Sequence, residues 1–193
     1  MSINQTMRHL GEERSVIREI FEYGNARKKE IGEENVFDFS LGNPSVPAPP
    51  EVNAEIARLI ADMPPVKLHG YTSAAGAPEV RAAVAAYLQT QFGAPVSASR
   101  VYMTCGAAAS LTISLAAMSE AGDEFVVVAP CFPEYRVFIE RAGGKVVEAQ
   151  AAADFHLDLA ARARAVGSRT KGGILNSPNN PTGGAATRGQ LQA

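Results

Sequence analysis

The sequence predicts an α/β fold, a mainly parallel sheet with helices on both faces. From Glu51 onward, segments of strand pattern alternate with segments of helix pattern. Such alternation produces parallel strands joined by right-handed helical crossovers. The run Phe125-Val126-Val127-Val128-Ala129 is apolar without interruption, which is how a strand buried on both faces reads. Turn residues bracket these strands, with Gly122-Asp123 before that run and Gly143-Gly144 before the next.

In chain order, Glu12 to Ile31 sets Val16, Ile17, Ile20, Phe21 and Tyr23 among charges at roughly helical spacing, an amphipathic helix. Asn35 to Ser40 alternates like a short strand. Leu41 to Pro50 holds four prolines in ten residues, a stiff irregular crossing or a plain linker. Glu51 to Ile60 is a helix stopped by Met63-Pro64-Pro65. The next helix has Pro78 in its first turn, stacks Val80, Val84 and Leu88 on one face, and ends near Gly93. Arg100 to Thr104 reads as a strand and Ala107 to Met118 as an Ala/Leu-rich helix. After the strand Phe125–Ala129 come a helix over Glu134–Ala142, a strand over Lys145–Glu148, a helix over Leu157–Val166 and a strand over Lys171–Leu175. Thr187 and Gln190 have capping-box spacing, so a helix begins there.

Composition narrows the function classes. The 193 residues suffice for one domain with a full core, and 46% hydrophobic with 20% charged residues is ordinary for a soluble globular protein. A net charge of −2 gives no reason to expect nucleic acid or an anionic membrane as partner. No apolar stretch approaches the length of a membrane span, and the polar, charged segment Met1 to Glu13 is not a secretory signal. Cys105 and Cys131 form no CxxC pair, and His9, His69 and His156 are scattered. The expectation is a cytoplasmic, metal-free protein.

The most informative segment is Asn176-Ser177-Pro178-Asn179-Asn180-Pro181-Thr182-Gly183, directly after the apolar run Gly173-Ile174-Leu175. Two prolines cannot continue a ladder, so the chain leaves the sheet at a strand's carboxyl end carrying two amides. In open α/β folds ligands bind at that end; a polar, proline-rich turn is the plainer alternative. Cys105-Gly106-Ala107-Ala108-Ala109-Ser110 opens a helix, where unpaired N–H groups and the helix dipole suit a phosphate. A Gly-Ala helix start also serves ordinary packing. Phe132, between Pro130-Cys131 and Pro133, is either a ligand-stacking ring or a core aromatic, and Cys131 reads as a small buried hydrophobe. His69-Gly70-Tyr71-Thr72-Ser73-Ala74-Ala75-Gly76 offers a tyrosine hydroxyl to a ligand or to a local partner.

Taken in this order, these segments resemble the class I/II aminotransferases, the fold-type I pyridoxal-phosphate enzymes related to aspartate aminotransferase. The resemblance covers essentially the whole chain but only about the first half of a typical member. It implies pyridoxal 5'-phosphate as cofactor, with the phosphate held by the backbone of Gly106, Ala107 and Ala108. It further implies Phe132 stacked on the cofactor ring and the Asn180 amide donating to its phenolic oxygen. Tyr71 would reach the phosphate of the other subunit in a homodimer, and the backbone of Gly42 would approach the substrate carboxylate. The implied reaction moves an amino group between an amino acid and a 2-oxo acid in a ping-pong cycle. Sibling chemistry on the same cradle, such as a C–S lyase or a ring-forming enzyme, and a truncated non-catalytic binding protein are the alternatives.

In that family the lysine that carries the cofactor, the acid beside its ring nitrogen and the arginine for the substrate carboxylate follow the Asn-Pro-Thr-Gly segment. Lys28, Lys29, Lys67, Lys145 and Lys171 all precede it, so no catalytic residue is assigned. The implied organisation is an N-terminal arm and small-domain segment over residues 1–45 and a partial large cofactor-binding domain over 46–193. This part of the PLP-transferase fold would have an incomplete sheet, and alone it would be inactive.

Overall fold

The computed structural model describes residues 3–12, 16–42 and 46–192. The chain divides into two compact units, residues 1–71 and 72–193, and each is treated by itself.

In the first unit, helix α2 (Val16–Ile31) matches the helix expected over Glu12–Ile31, and a further helix, α1 (Gln5–Glu12), precedes it. Glu13 to Ser15 lie outside the described residues. In α2, Phe21, Gly24, Asn25 and Lys28 face inward, whereas Val16, Ile20 and Tyr23 are exposed. Gly24 leaves room for the Asp38 carboxylate, which would lie 3.1 Å from a β-carbon built there. That carboxylate accepts hydrogen bonds from the Ser40 hydroxyl and amide and sits 3.5 Å from Lys28 Nζ. The Ser40 bonds and the Lys28 charge hold Asp38 below the usual carboxylate range.

The strand expected over Asn35–Ser40 does not form. A 3₁₀ turn spans Glu33–Asn35, and the extended residues after it have no ladder partner among the described residues. The alternation itself is present, with Val36, Asp38 and Ser40 half-buried and Phe37 and Phe39 turned outward. In the crossing segment Asn43, Pro44 and Ser45 lie outside the described residues. Helix α3 (Pro50–Asp62) follows, then the short α4 (Pro65–His69), where a stop is expected. Pro64-Pro65 does end α3, but a proline at the first helical position also starts a helix well.

The second unit carries the sheet. Strands β1 (Glu124–Ala129), β2 (Lys145–Gln150) and β3 (Thr170–Ile174) are parallel and ordered β2-β1-β3. Helix α6 (Gly106–Met118) precedes β1, α7 (Glu134–Arg141) links β1 to β2, and α8 (Leu159–Ala165) links β2 to β3. The chain steps from β1 to one side and returns to the other, so right-handed crossovers place α7 and α8 on opposite faces. The burial pattern agrees. Phe125 and Val127 point to a core with Leu115, Tyr135 and Ile139 from α6 and α7. Val126 and Val128 point to the other face, where Arg162 and Val166 of the α8 segment line a cleft of about 310 Å³. Gly144 must be small, because a β-carbon there would lie 3.0 Å from the Phe125 ring.

The strand expected over Arg100–Thr104 is also not formed. A 3₁₀ turn occupies Ala98–Arg100 and is closed by Val101 N–H donating to Ala98 O; the extended stretch after it reaches a distant segment through Met103 N–H, which donates to Ala75 O at 3.0 Å. Helix α5 (Pro78–Phe92) buries Ala85 with Arg81, Val84 and Leu88 half-buried beside it, while Val80 is exposed. Arg81 is inside because its guanidinium donates to Val101 O at 2.8 Å and Ala98 O at 2.7 Å. Helix α9 (Arg188–Gln192) starts with the expected capping box, Gln190 N–H donating to Thr187 Oγ1 at 3.2 Å and Thr187 N–H to Gln190 Oε1 at 2.9 Å. No helix of the described residues is long and apolar enough to cross a membrane.

Candidate active site

Three segments approach the carboxyl ends of the strands. Loop 130–133 leaves β1, loop 175–186 leaves β3, and the N-terminus of α6 points the same way. The last follows from connectivity: α6 enters β1 through the turn at residues 119–123, and Leu111 and Leu115 pack on the same core as Phe125. The helix therefore runs back along the sheet. Because the strand order turns back between β1 and β3, the crevice beside these two strands is the natural ligand position of the fold.

At the start of α6, Gly106 has φ +83°, and a β-carbon built there meets nothing within 4 Å. The N–H groups of Gly106, Ala107 and Ala108 meet no acceptor among the described residues, no side chain caps the helix, and its first turn has no acidic residue. Thr104 Oγ1 and Ser110 Oγ lie 2.5 Å apart and both reach Gly106 O, pinning the turn from behind. Free amides, a dipole of the right sign and open space in front fit a phosphate.

Phe132 is half-buried and meets Tyr135 edge to face, with centroids 5.6 Å apart and planes at 78°. It packs against the core at one side while its loop stays at the strand end. Cys131 packs there too. Burial, then the Glu148 carboxylate, push its thiol above the usual range against the opposing pull of Arg136, so it remains a neutral core group. Burial raises Tyr135 likewise.

The two amides after β3 have different surroundings. Asn179 is half-buried and donates to Pro130 O at 2.9 Å and Thr182 Oγ1 at 3.0 Å. Asn180 is exposed; its backbone N–H donates to Asn176 Oδ1 at 3.0 Å, and its side-chain amide has no partner among the described residues. The Ser177–Pro178 and Asn180–Pro181 bonds are cis. Residue type alone leaves the two asparagines equivalent, and the resemblance singles out Asn180; their partners separate the tied amide of Asn179 from the free one of Asn180.

In the first unit, the Tyr71 side chain is fully exposed and Gly42 is exposed with open space around it. Lys145 opens β2 and Lys171 lies near the start of β3, 3.9 Å from Asp123, so both sit at the amino ends of the strands, away from these loops. No group of His, Cys, Asp or Glu that could hold a metal ion occurs among the described residues.

Comparison with known proteins places this geometry. The model for aminotransferase class I and II matches residues 34–193, and the chain belongs to that family. It is 33% identical over 159 residues to an aspartate aminotransferase of Streptomyces avermitilis, covering 81% of this chain and 38% of that protein. A valine–pyruvate aminotransferase of Mycobacterium tuberculosis is 31% identical over 150 residues, covering 77% and 38%. The crystal structure of an aminotransferase from Eubacterium rectale superposes with a TM-score of 0.94 at 48% identity, covering 100% of this chain and 49% of that one. The chain thus spans about half the length of that structure and about two fifths of the other two relatives. The structural match supports the PLP-transferase fold expected from the sequence.

Proposed function

We propose that this chain is the cofactor-cradling part of a pyridoxal-phosphate-dependent aminotransferase that passes an amino group between an amino acid and a 2-oxo acid. The observation that carries the reading is the pair of free donor sets at one sheet end: the α6 amides and the Asn180 side chain, neither satisfied among the described residues. The backbone of Gly106, Ala107 and Ala108 would bind the phosphate of pyridoxal 5'-phosphate, Phe132 would lie against its ring, and the Asn180 amide would donate to its phenolic oxygen. Bound there, the cofactor supplies the electron sink that makes substrate Cα–H bonds acidic. An amide suits the phenolic oxygen because it donates without changing charge itself. Gly42 would offer its backbone to the substrate carboxylate.

We assign the exposed Tyr71 hydroxyl to the phosphate site of a second copy, making the working unit a homodimer. In the complete enzyme residues 1–45 would belong to the N-terminal arm and small domain and 46–193 to the large domain. The cofactor-bearing lysine would come from residues outside these 193. Two free cysteines fit a reducing, cytoplasmic compartment. The relatives' names span aspartate and valine, so the proposed substrates are an amino acid and a 2-oxo acid.

Asn180→Ala in the full-length enzyme tests the assignment. Loss of a donor that favours the ionised phenolic oxygen raises the pH at which the bound cofactor's visible band titrates, with the apo-protein's melting temperature unchanged. A titration curve that does not move removes Asn180 from the site.

A further inference from the structure

The β1–β3 ladder ends at Val127 and Ile174. Beyond it, the hydrogen bond from Asn179 Nδ2 to Pro130 O ties the two strand-end loops together. The other hydrogen of that amide goes to Thr182 Oγ1. The Asn179 main chain closes its own loop: its N–H donates to Gly184 O and its carbonyl accepts from Gly183 N–H, each at 2.8 Å. Its side chain therefore rests on a fixed backbone, and Pro130 is fixed to it in turn. Phe132 lies two residues beyond Pro130, and Asn180 is the next residue after Asn179.

We propose that Asn179 is a positioning residue that sets the separation between Phe132 and the Asn180 amide, and so between the ring-face contact and the phenolic-oxygen contact of the cofactor. This rests on the cofactor placement given above. A primary amide fills the role because two acceptors converge on it, and only an NH₂ group donates to both. An aspartate of the same size would face the Pro130 carbonyl with a carboxylate oxygen. Phe132 is braced on Tyr135, so it does not follow the β3 loop once the tie is cut. The two contacts then fall out of register, and ligand binding is sensitive to such offsets.

A double-mutant cycle on the full-length enzyme tests this, reading the dissociation constant for pyridoxal phosphate from absorbance titration of the apo-protein. Asn179→Ala is expected to weaken binding about tenfold, the scale of one lost directional bond to a fixed partner. In a Phe132→Ala/Asn180→Ala background the same change is expected to weaken it less than about twofold, because the groups it positions are gone. An equal loss in both backgrounds, or no loss in the first, overturns the inference while leaving the cofactor site standing. A Phe132→Ala/Asn180→Ala protein that binds as tightly as wild type overturns the cofactor placement and this inference with it. If Asn179→Ala does not fold, Asn179→Asp, equal in volume, takes its place in the same cycle.

Discussion

Gly106→Val in the full-length enzyme is expected to weaken pyridoxal phosphate binding by about 2 kcal/mol or more, the scale of a lost set of charge-assisted hydrogen bonds. Two effects add. Gly106 sits at φ +83°, where a β-branched residue is strained by roughly 1–3 kcal/mol, so the backbone turns away and takes the first α6 amides with it. The new side chain also projects into open space at the helix start, beside the proposed phosphate position. Because that space is empty of protein atoms, the substitution creates no clash in the core. Fluorescence titration of the apo-protein with the cofactor measures the loss, and the melting temperature of the apo form shows that the fold survives. Unchanged affinity in a folded variant puts the phosphate elsewhere.

The 193-residue chain by itself is expected to show no amino-group transfer above a protein-free pyridoxal phosphate control, and to melt without a cooperative transition. Proton transfer by a positioned base is worth about 10²- to 10⁴-fold in such reactions, and neither lysine of the second unit is placed to supply it. Lys145 and Lys171 lie at the amino ends of their strands, and Lys28 is engaged with Asp38. The instability has a separate origin. Among the described residues the buried apolar set is small: Ala85, Leu115, Phe125, Val126, Val127, Tyr135, Ile139 and Ala149. Meanwhile Phe37 and Phe39 are 83% and 92% exposed, and the sheet face at Val126 and Val128 opens on a cleft. Uncovered apolar surface and an open β3 edge favour association over a stable monomer. Thermal melting and an assay with common amino acids and 2-oxoglutarate test both halves. A cooperative melt together with turnover above the control would mean that one of the five lysines does the chemistry.

What was legible in the sequence depended on whether the partner of each pattern lay nearby. Strands β1, β2 and β3 pair with one another, and their apolar runs located them within a residue or two. Asn35–Ser40 and Arg100–Thr104 carry equally good local patterns but have no ladder partner among the described residues, and a pattern without an edge stays irregular. The helix start at Pro78 is readable from its first-turn proline, whereas Pro50 reads as the end of the crossing segment and Pro65 as a stop, although both begin helices. The inner face of α5 was misjudged at Arg81, whose burial depends on carbonyls far along the chain at Ala98 and Val101. The candidate site was readable as residue types at strand ends, Gly106, Phe132 and Asn180 included. The role of Asn179 was not, since its defining contact reaches across 49 residues to Pro130.

The start of α6 and the loops after β1 and β3 are proposed to hold one pyridoxal phosphate. A crystal structure of the full-length enzyme grown with the cofactor tests it most directly. Phosphate oxygens are expected within hydrogen-bond distance of the Gly106 to Ala108 amides, with the ring against Phe132 and the Asn180 side chain on the phenolic oxygen. Cofactor density at any other place, with those amides and the Asn180 side chain left unengaged, would contradict it.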